Sequence, residues 1–318
     1  GRGALIDRRL NRDDSLNAVT SRGEKLQFYM EATDLIKKVR HIEIKARGLS
    51  RNIFAGEYHS AFKGRGMAFS EVREYRYGDD MRDIDWNVTA RYNRPYIKIF
   101  EEERELTVML MIDMSESLGF GSRSLLKRDM VAEIAATLAF SAIQNNDKIG
   151  MIIFTDKVEK FIPPQKGRKH ILFIIREILG FTPESNGTDL NMALRYMTNA
   201  IKKRSTAFLI SDFIDVDDYQ KAMQIASRKH DLMAIQVYDQ LSTALQPVGL
   251  MKVWDPETGS EQWIDSSSKR VQAQYRNWWN KLQEKMKTAT RQSGVDSVSV
   301  STESDYVKSL LQLLQQRR

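Results

Sequence analysis

Between Leu106 and Ile112 every residue but Thr107 is apolar, and the next residue is Asp113. A hydrophobic run of that length without alternation suits a strand buried on both faces, as in a sheet with helices above and below it. The carboxyl end of such a strand is where open α/β sheets place their ligand sites. Here that end carries Asp113, Ser115 and Ser117 at alternate positions. A turn can aim three such oxygens at one point, and hard oxygen donors suit Mg²⁺ or Mn²⁺.

The chain beyond Leu106 alternates between strand-like and helix-like patterns, which reads as an α/β fold with a doubly wound, mostly parallel sheet. Helical spacing predicts helices over 130–143, 171–179, 190–202, 219–229 and 269–292, and apolar runs predict strands over 148–154, 158–162, 207–210, 232–238 and 295–300. The strand at 158–162 is expected to stop at Pro163-Pro164, because proline cannot donate to a sheet ladder. Residues 252–264 read as a hairpin around Pro256-Glu257-Thr258-Gly259, and Thr302-Glu303-Ser304-Asp305 reads as a capping box before a final helix. Upstream, Leu35, Ile36, Val39 and Ile42 predict a helix reaching about Arg47, whereas Gly56, Gly64, Gly66 and Gly78 break residues 52–100 into what reads as a β-rich or irregular module. Tyr96 to Phe100 alternates like a strand. Residues 1–29 lack apolar periodicity and are expected to be a flexible tail or a non-native extension, with Met30 as the natural start. The expected organisation is therefore a tail over 1–29, an N-terminal module over 30–103 and the α/β domain over 104–318.

Composition removes several classes of function. With no cysteine among 318 residues, thiolate metal sites, disulfide scaffolds and cysteine nucleophiles are excluded. No run approaches the roughly 18–20 apolar residues that span a bilayer, so a cytoplasmic location is expected, with peripheral membrane association left open. The four histidines, His41, His59, His170 and His230, have no zinc spacing. The net charge is +7, of which residues 1–100 supply +6, from 20 Lys and Arg against 14 Asp and Glu. That asymmetry suggests nucleic-acid binding by the basic N-terminal third as one alternative. The acids interleaved among those bases favour a solvated, salt-bridged face instead.

Two further loops carry chemistry that matches the first. Thr188 and Asp189 follow Gly187 at a predicted helix start, and Asp212 follows the apolar strand Phe208-Leu209-Ile210. In a right-handed parallel sheet both fall on the same carboxyl edge as Asp113. Asp113, Ser115, Ser117, Thr188 and Asp212 together would hold a hard divalent cation and, because three of the five ligands are neutral hydroxyls, leave it more electropositive than an all-carboxylate set would, open to a partner's carboxylate. Asp189 is a candidate to orient those ligands. The sharper alternative is a metal-dependent hydrolase or phosphotransferase with Asp113 as nucleophile. That chemistry usually wants a second acid two residues on, where this chain has Ser115, so no catalysis is expected.

These residues resemble the metal-ion-dependent adhesion site of von Willebrand factor A domains, a likeness covering about residues 104–318. Asp113, Ser115, Ser117, Thr188 and Asp212 match its motif positions, while Glu116 stands where that motif often has glycine. The preceding segment carries Lys63-Gly64-Arg65-Gly66, Glu71-Val72-Arg73, Tyr77-Gly78-Asp79-Asp80, Arg82-Asp83-Ile84-Asp85-Trp86 and Thr89-Ala90-Arg91, continued by Glu102 and Glu103. This ordered set is similar to the signature of the bacterial domain-of-unknown-function family 58. The resemblance implies a metal-dependent protein–protein interaction module acting with a MoxR-type AAA+ ATPase in complex assembly or stress tolerance. Many members of that family carry N-terminal membrane helices.

Read as plain chemistry, Asp79, Asp80, Asp83 and Asp85 beside Arg73, Arg76, Arg82 and Arg91 predict an ion-pair network that docks the module onto the sheet. Trp278 and Trp279 read as packing on the long helix rather than as a binding platform.

Overall fold

The computed structural model describes residues 33–62, 67–102, 105–115, 124–185, 187–215, 217–255 and 260–317. Its centre is a six-stranded sheet of β3 (Thr107–Asp113), β4 (Lys148–Phe154), β5 (Val158–Gln165), β6 (Thr206–Ser211), β7 (Asp231–Tyr238) and β10 (Asp296–Ser301), in the order β10-β7-β6-β3-β4-β5. Five strands run parallel and β5 runs antiparallel to β4 at the edge. The order doubles back at β3, so the loops leaving β3 and β6 flank the crevice where such sheets bind ligands.

The double burial expected of β3 is visible residue by residue. Val108, Leu110 and Ile112 enter one core, with α4 (Ser124–Gln144), α5 (Arg168–Gly180) and α9 (Tyr306–Gln315) packed over it. Met109 and Met111 enter the other, covered by α6 (Leu190–Ala200), α7 (Gln220–Lys229) and α8 (Lys269–Ser293). Successive side chains of a strand point to opposite faces, so a strand lying between two helical layers must be apolar throughout.

Several boundaries differ from expectation for identifiable reasons. β5 runs through Pro163 and Pro164 to Gln165, because an edge strand has one side with no ladder for proline to break. The final helix is capped by Asp305, whose carboxylate accepts from the Val307 N–H, rather than by Thr302. The hairpin expected over 252–264 is the antiparallel pair β8 (Leu250–Asp255) and β9 (Ser260–Asp265); its turn, 256–259, lies outside the described residues.

The segment upstream of the sheet has two characters. Residues 33–49 form helix α1, and after a single wide turn at Ser50–Phe54 the chain continues as α2 (Ala55–Phe62). Residues 52–62 are thus helical, not β-rich, and Phe54, Tyr58 and Phe62 are buried in the same core as α4 and β3. The β-rich expectation holds further on, where β1 (Met67–Glu74) and β2 (Tyr96–Glu102) form an antiparallel pair with α3 (Trp86–Tyr92) between them. The acids there pair locally. Arg73 clasps Asp79 through two 2.8 Å hydrogen bonds, Arg82 clasps Asp80, and Asp85 caps α3 through the Asn87 and Val88 N–H groups. These contacts close inside the module rather than joining it to the sheet as expected. No helix among the described residues is long and apolar enough to cross a membrane.

Candidate functional site

At the carboxyl edge of the sheet, Ile112 of β3 pairs with Ile210 of β6, so Asp113 and Ser211 stand level on neighbouring strands. The Ser211 hydroxyl donates to Asp113 Oδ2 over 2.6 Å, and the Ser115 N–H donates to Asp113 Oδ1 over 3.0 Å. The Ser115 hydroxyl bonds to the same carboxylate. This is a side-chain-to-backbone hydrogen bond of the kind Asp forms readily, and it holds the carboxylate at the point where β3 ends. A further hydrogen bond, Met114 N–H to the Phe154 carbonyl at 2.9 Å, ties the exit to β4.

Asp212 is held by a different device. Its Oδ1 accepts from the Ile214 N–H at 3.0 Å, and its own carbonyl accepts from the Gln236 side-chain amide at 3.1 Å. The next residue, Phe213, has φ of +59°, a left-handed conformation that is uncommon for a bulky side chain. Burial of its ring beside Tyr219, with centroids 6.1 Å apart, compensates for that conformation. Strain of this kind gathers at functional edges, where the surrounding structure over-determines it.

The electrostatics are unusual. Asp113 is 0% exposed and Asp212 1%. Burial, followed by the negative charge of Asp212, pushes the Asp113 carboxyl up to about 7, while hydrogen bonds from Ser211 and Ser115 pull the other way. Lys127, on α4, places its ammonium 3.0 Å from Asp212 Oδ2. The ammonium thus pairs with Asp212, whose charge in turn bears on the buried Asp113.

Thr188 stands one loop away. Its neighbour Asp189 donates its N–H to the Thr155 carbonyl at the end of β4 and caps α6 by accepting from the Met192 N–H at 2.7 Å. The Leu190 N–H then donates to Asp215 Oδ2, just beyond Asp212. The loop is thereby fastened to the exits of both β4 and β6. Thr188 itself is half-buried and, among the described residues, hydrogen-bonds to none of Asp113, Ser115 and Asp212. Ser117 and Glu116 lie outside the described residues.

The structure thus links Asp113 to Ser115 by hydrogen bonds and sets Asp113 beside the charge of Asp212. Among the described residues no group of three or more His, Asp or Glu side chains could hold a metal. A set built from two carboxylates and hydroxyls does not depend on such a group. Its donors are all hard oxygens and its two acids repel one another, so the chemistry fits Mg²⁺ or Mn²⁺.

Sequence reasoning missed Lys127, Ser211, Asp215 and Gln236. Lys127 had a readable signal. With Val131, Ile134 and Leu138 it forms an i, i+4, i+7, i+11 stripe, which places a charged residue on the buried face of a helix. The others had none, because they are recognisable only through the partners that the fold supplies.

A family model described as "Protein of unknown function DUF58" matches residues 71–285. The uncharacterized protein Rv1480 of Mycobacterium tuberculosis (strain ATCC 25618 / H37Rv) is 29% identical over 227 residues, which cover 71% of this chain and 72% of that protein. The uncharacterized protein YeaD of Bacillus subtilis (strain 168) is 26% identical over 109 residues, 34% of this chain and 25% of its own. Among solved structures, the conserved hypothetical protein BatB from Bacteroides thetaiotaomicron aligns at a TM-score of 0.42 and 15% identity, over 67% of this chain and 98% of its own. Proximal thread matrix protein 1 from the mussel byssus, solved with a zinc-occupied MIDAS motif, aligns at 0.34 and 17%, over 42% of this chain and 38% of its own.

Proposed function

This chain belongs to the DUF58 family, and from that premise we propose that it is a divalent-metal-dependent protein–protein interaction module, without catalysis of its own. One observation carries the reading: Asp113 and Asp212 lie fully buried together at the carboxyl edge of the sheet, where an added cation would relieve their repulsion. Asp113, Ser115, Ser117, Thr188 and Asp212 are the residues that would hold Mg²⁺ or Mn²⁺. When bound, such an ion supplies a Lewis-acidic position that a partner's carboxylate can fill. The chain's own groups do the positioning. Ser211 and the Ser115 N–H orient Asp113, the Ile214 N–H and Gln236 orient Asp212, and Asp189 fixes the loop that carries Thr188.

Burial of Asp113 also argues against the nucleophile alternative. A carboxylate that is fully buried, with both oxygens already accepting hydrogen bonds, is poorly placed to attack a substrate. Exposed Tyr77, Met81, Trp86 and Tyr92 on the 67–102 module add apolar surface of the kind that marks protein contacts. The partner class we propose is a MoxR-type AAA+ ATPase, in a cytoplasmic setting. The test is capture of that ATPase by the immobilised chain in Mg²⁺, in EDTA, and with Asp113→Ala. Binding is expected in Mg²⁺ alone; equal capture in all three conditions sinks the mechanism.

A further inference from the structure

A lysine buried at a carboxylate pair is a costly arrangement that the metal reading does not by itself require. Lys127 reaches the site from α4 with its side chain 7% exposed, against 0% for its partner Asp212. Buried lysines of this kind are rare and are held by their counter-charges. Here the formal count is two carboxylates and one ammonium, so Asp212 already has a cation that belongs to the chain itself, while one negative charge at the edge is left over. The contact falls on Asp212 Oδ2, while Oδ1 is taken by the Ile214 N–H. A divalent ion drawn to Asp212 therefore meets an ammonium on the oxygen that, among the described residues, carries no backbone donor, and like charges at such a separation in a desolvated site repel strongly.

We propose that Lys127 is the resident cation of this edge and competes with the divalent ion for Asp212, so that ion binding expels the lysine ammonium from its buried position. This rests on the metal-site reading and deepens it. It assigns the chain a site whose charge is partly compensated without metal and whose ion affinity is set by a lysine as well as by the ligands. On ion binding the displaced ammonium adds positive charge to the face offered to a partner, which favours an acidic segment.

The test uses the whole chain in two arms. Mn²⁺ titration followed by the electron paramagnetic resonance of the free ion compares wild type with Lys127→Met, and the variant is expected to bind at least about tenfold more tightly. Adding Asp212→Asn to that variant is expected to abolish the gain. The second arm needs no variant and so is immune to a folding failure. Reductive methylation read by mass spectrometry is expected to leave wild-type Lys127 unmodified without divalent ion and to modify it in saturating Mg²⁺, with exposed Lys202 as the internal reference. Equal Mn²⁺ affinity in wild type and variant, or a Lys127 that stays protected while the ion is bound, overturns this inference and leaves the metal centre standing. Absence of Mn²⁺ binding by either protein overturns both.

Discussion

Asp113 and His230 sit in opposite electrostatic situations, and their effects on stability against pH have opposite signs. Burial and the charge of Asp212 raise the folded Asp113 carboxyl to about 7 from an ordinary 3.8. The folded chain therefore holds a proton there that the unfolded chain has released, and this contribution falls as pH rises from about 4 to 7. His230 is buried with Nδ1 3.0 Å from the Ser205 hydroxyl, and burial, then Lys229 and Arg204, lower it to about 4 from 6.5. It stays neutral when folded, so acidification from 6.5 towards 4 protonates only the unfolded chain and removes stability, by an amount on the order of 3 kcal/mol. Urea melts across that window separate the two. His230→Gln is expected to flatten the acid loss, and Asp113→Asn to steepen it. At pH 8 without divalent ion, Asp113→Asn is further expected to melt about 2–4 °C higher than wild type, since it removes a buried repulsion. A lower melting point would mean that the hydrogen bonds from Ser211 and Ser115 outweigh that repulsion.

Among the elements, the edge pair β4–β5 and the buried helix α4 show where local pattern suffices and where it does not. The apolar run of β4 and the helical period of α4 were readable because each depends on neighbours a few residues away. The direction of β5 was not, because an alternating segment looks the same whether it pairs parallel or antiparallel. Gly150 marks how closely those two strands approach. A Cβ added there would lie 2.9 Å from the Ile162 carbonyl oxygen and 3.0 Å from Pro164 N, both backbone atoms of β5. The Met109 sulfur, at 2.8 Å, can swing aside, but the strand cannot do so without breaking its ladder. Gly150→Ala is expected to cost roughly 1–3 kcal/mol in chemical denaturation, and a variant as stable as wild type would show that β5 is free to slide.

For the molecule as a whole, α1 and α2 are part of the main core. Phe54 is fully buried against it, and the Tyr58 hydroxyl donates to Asp147 Oδ2 at 3.1 Å while Asp147 Oδ1 receives the Leu106 N–H at 2.9 Å. One aspartate thus joins the N-terminal helices to the start of the central strand. Phe54→Ala is expected to destabilise by about 3–5 kcal/mol. A chain shortened to residues 106–318 is expected to bind a hydrophobic dye and lose its near-ultraviolet circular dichroism; a sharp unfolding transition at the full-length midpoint would contradict this.

The sequence by itself determined the α/β class, the doubly buried β3 and the placement of Asp113, Thr188 and Asp212 at strand or helix ends, because hydrophobic period and breaker residues act over a few positions. Only the tertiary structure decided that Ser211 grips Asp113, that Phe213 adopts a left-handed conformation next to Asp212, that residues 52–62 join the core as a helix, and that Lys127 pairs with Asp212. The Lys127 and Ser211 contacts join groups 85 and 98 residues apart in the chain, and which distant charge meets which carboxylate is settled by packing, not by local pattern.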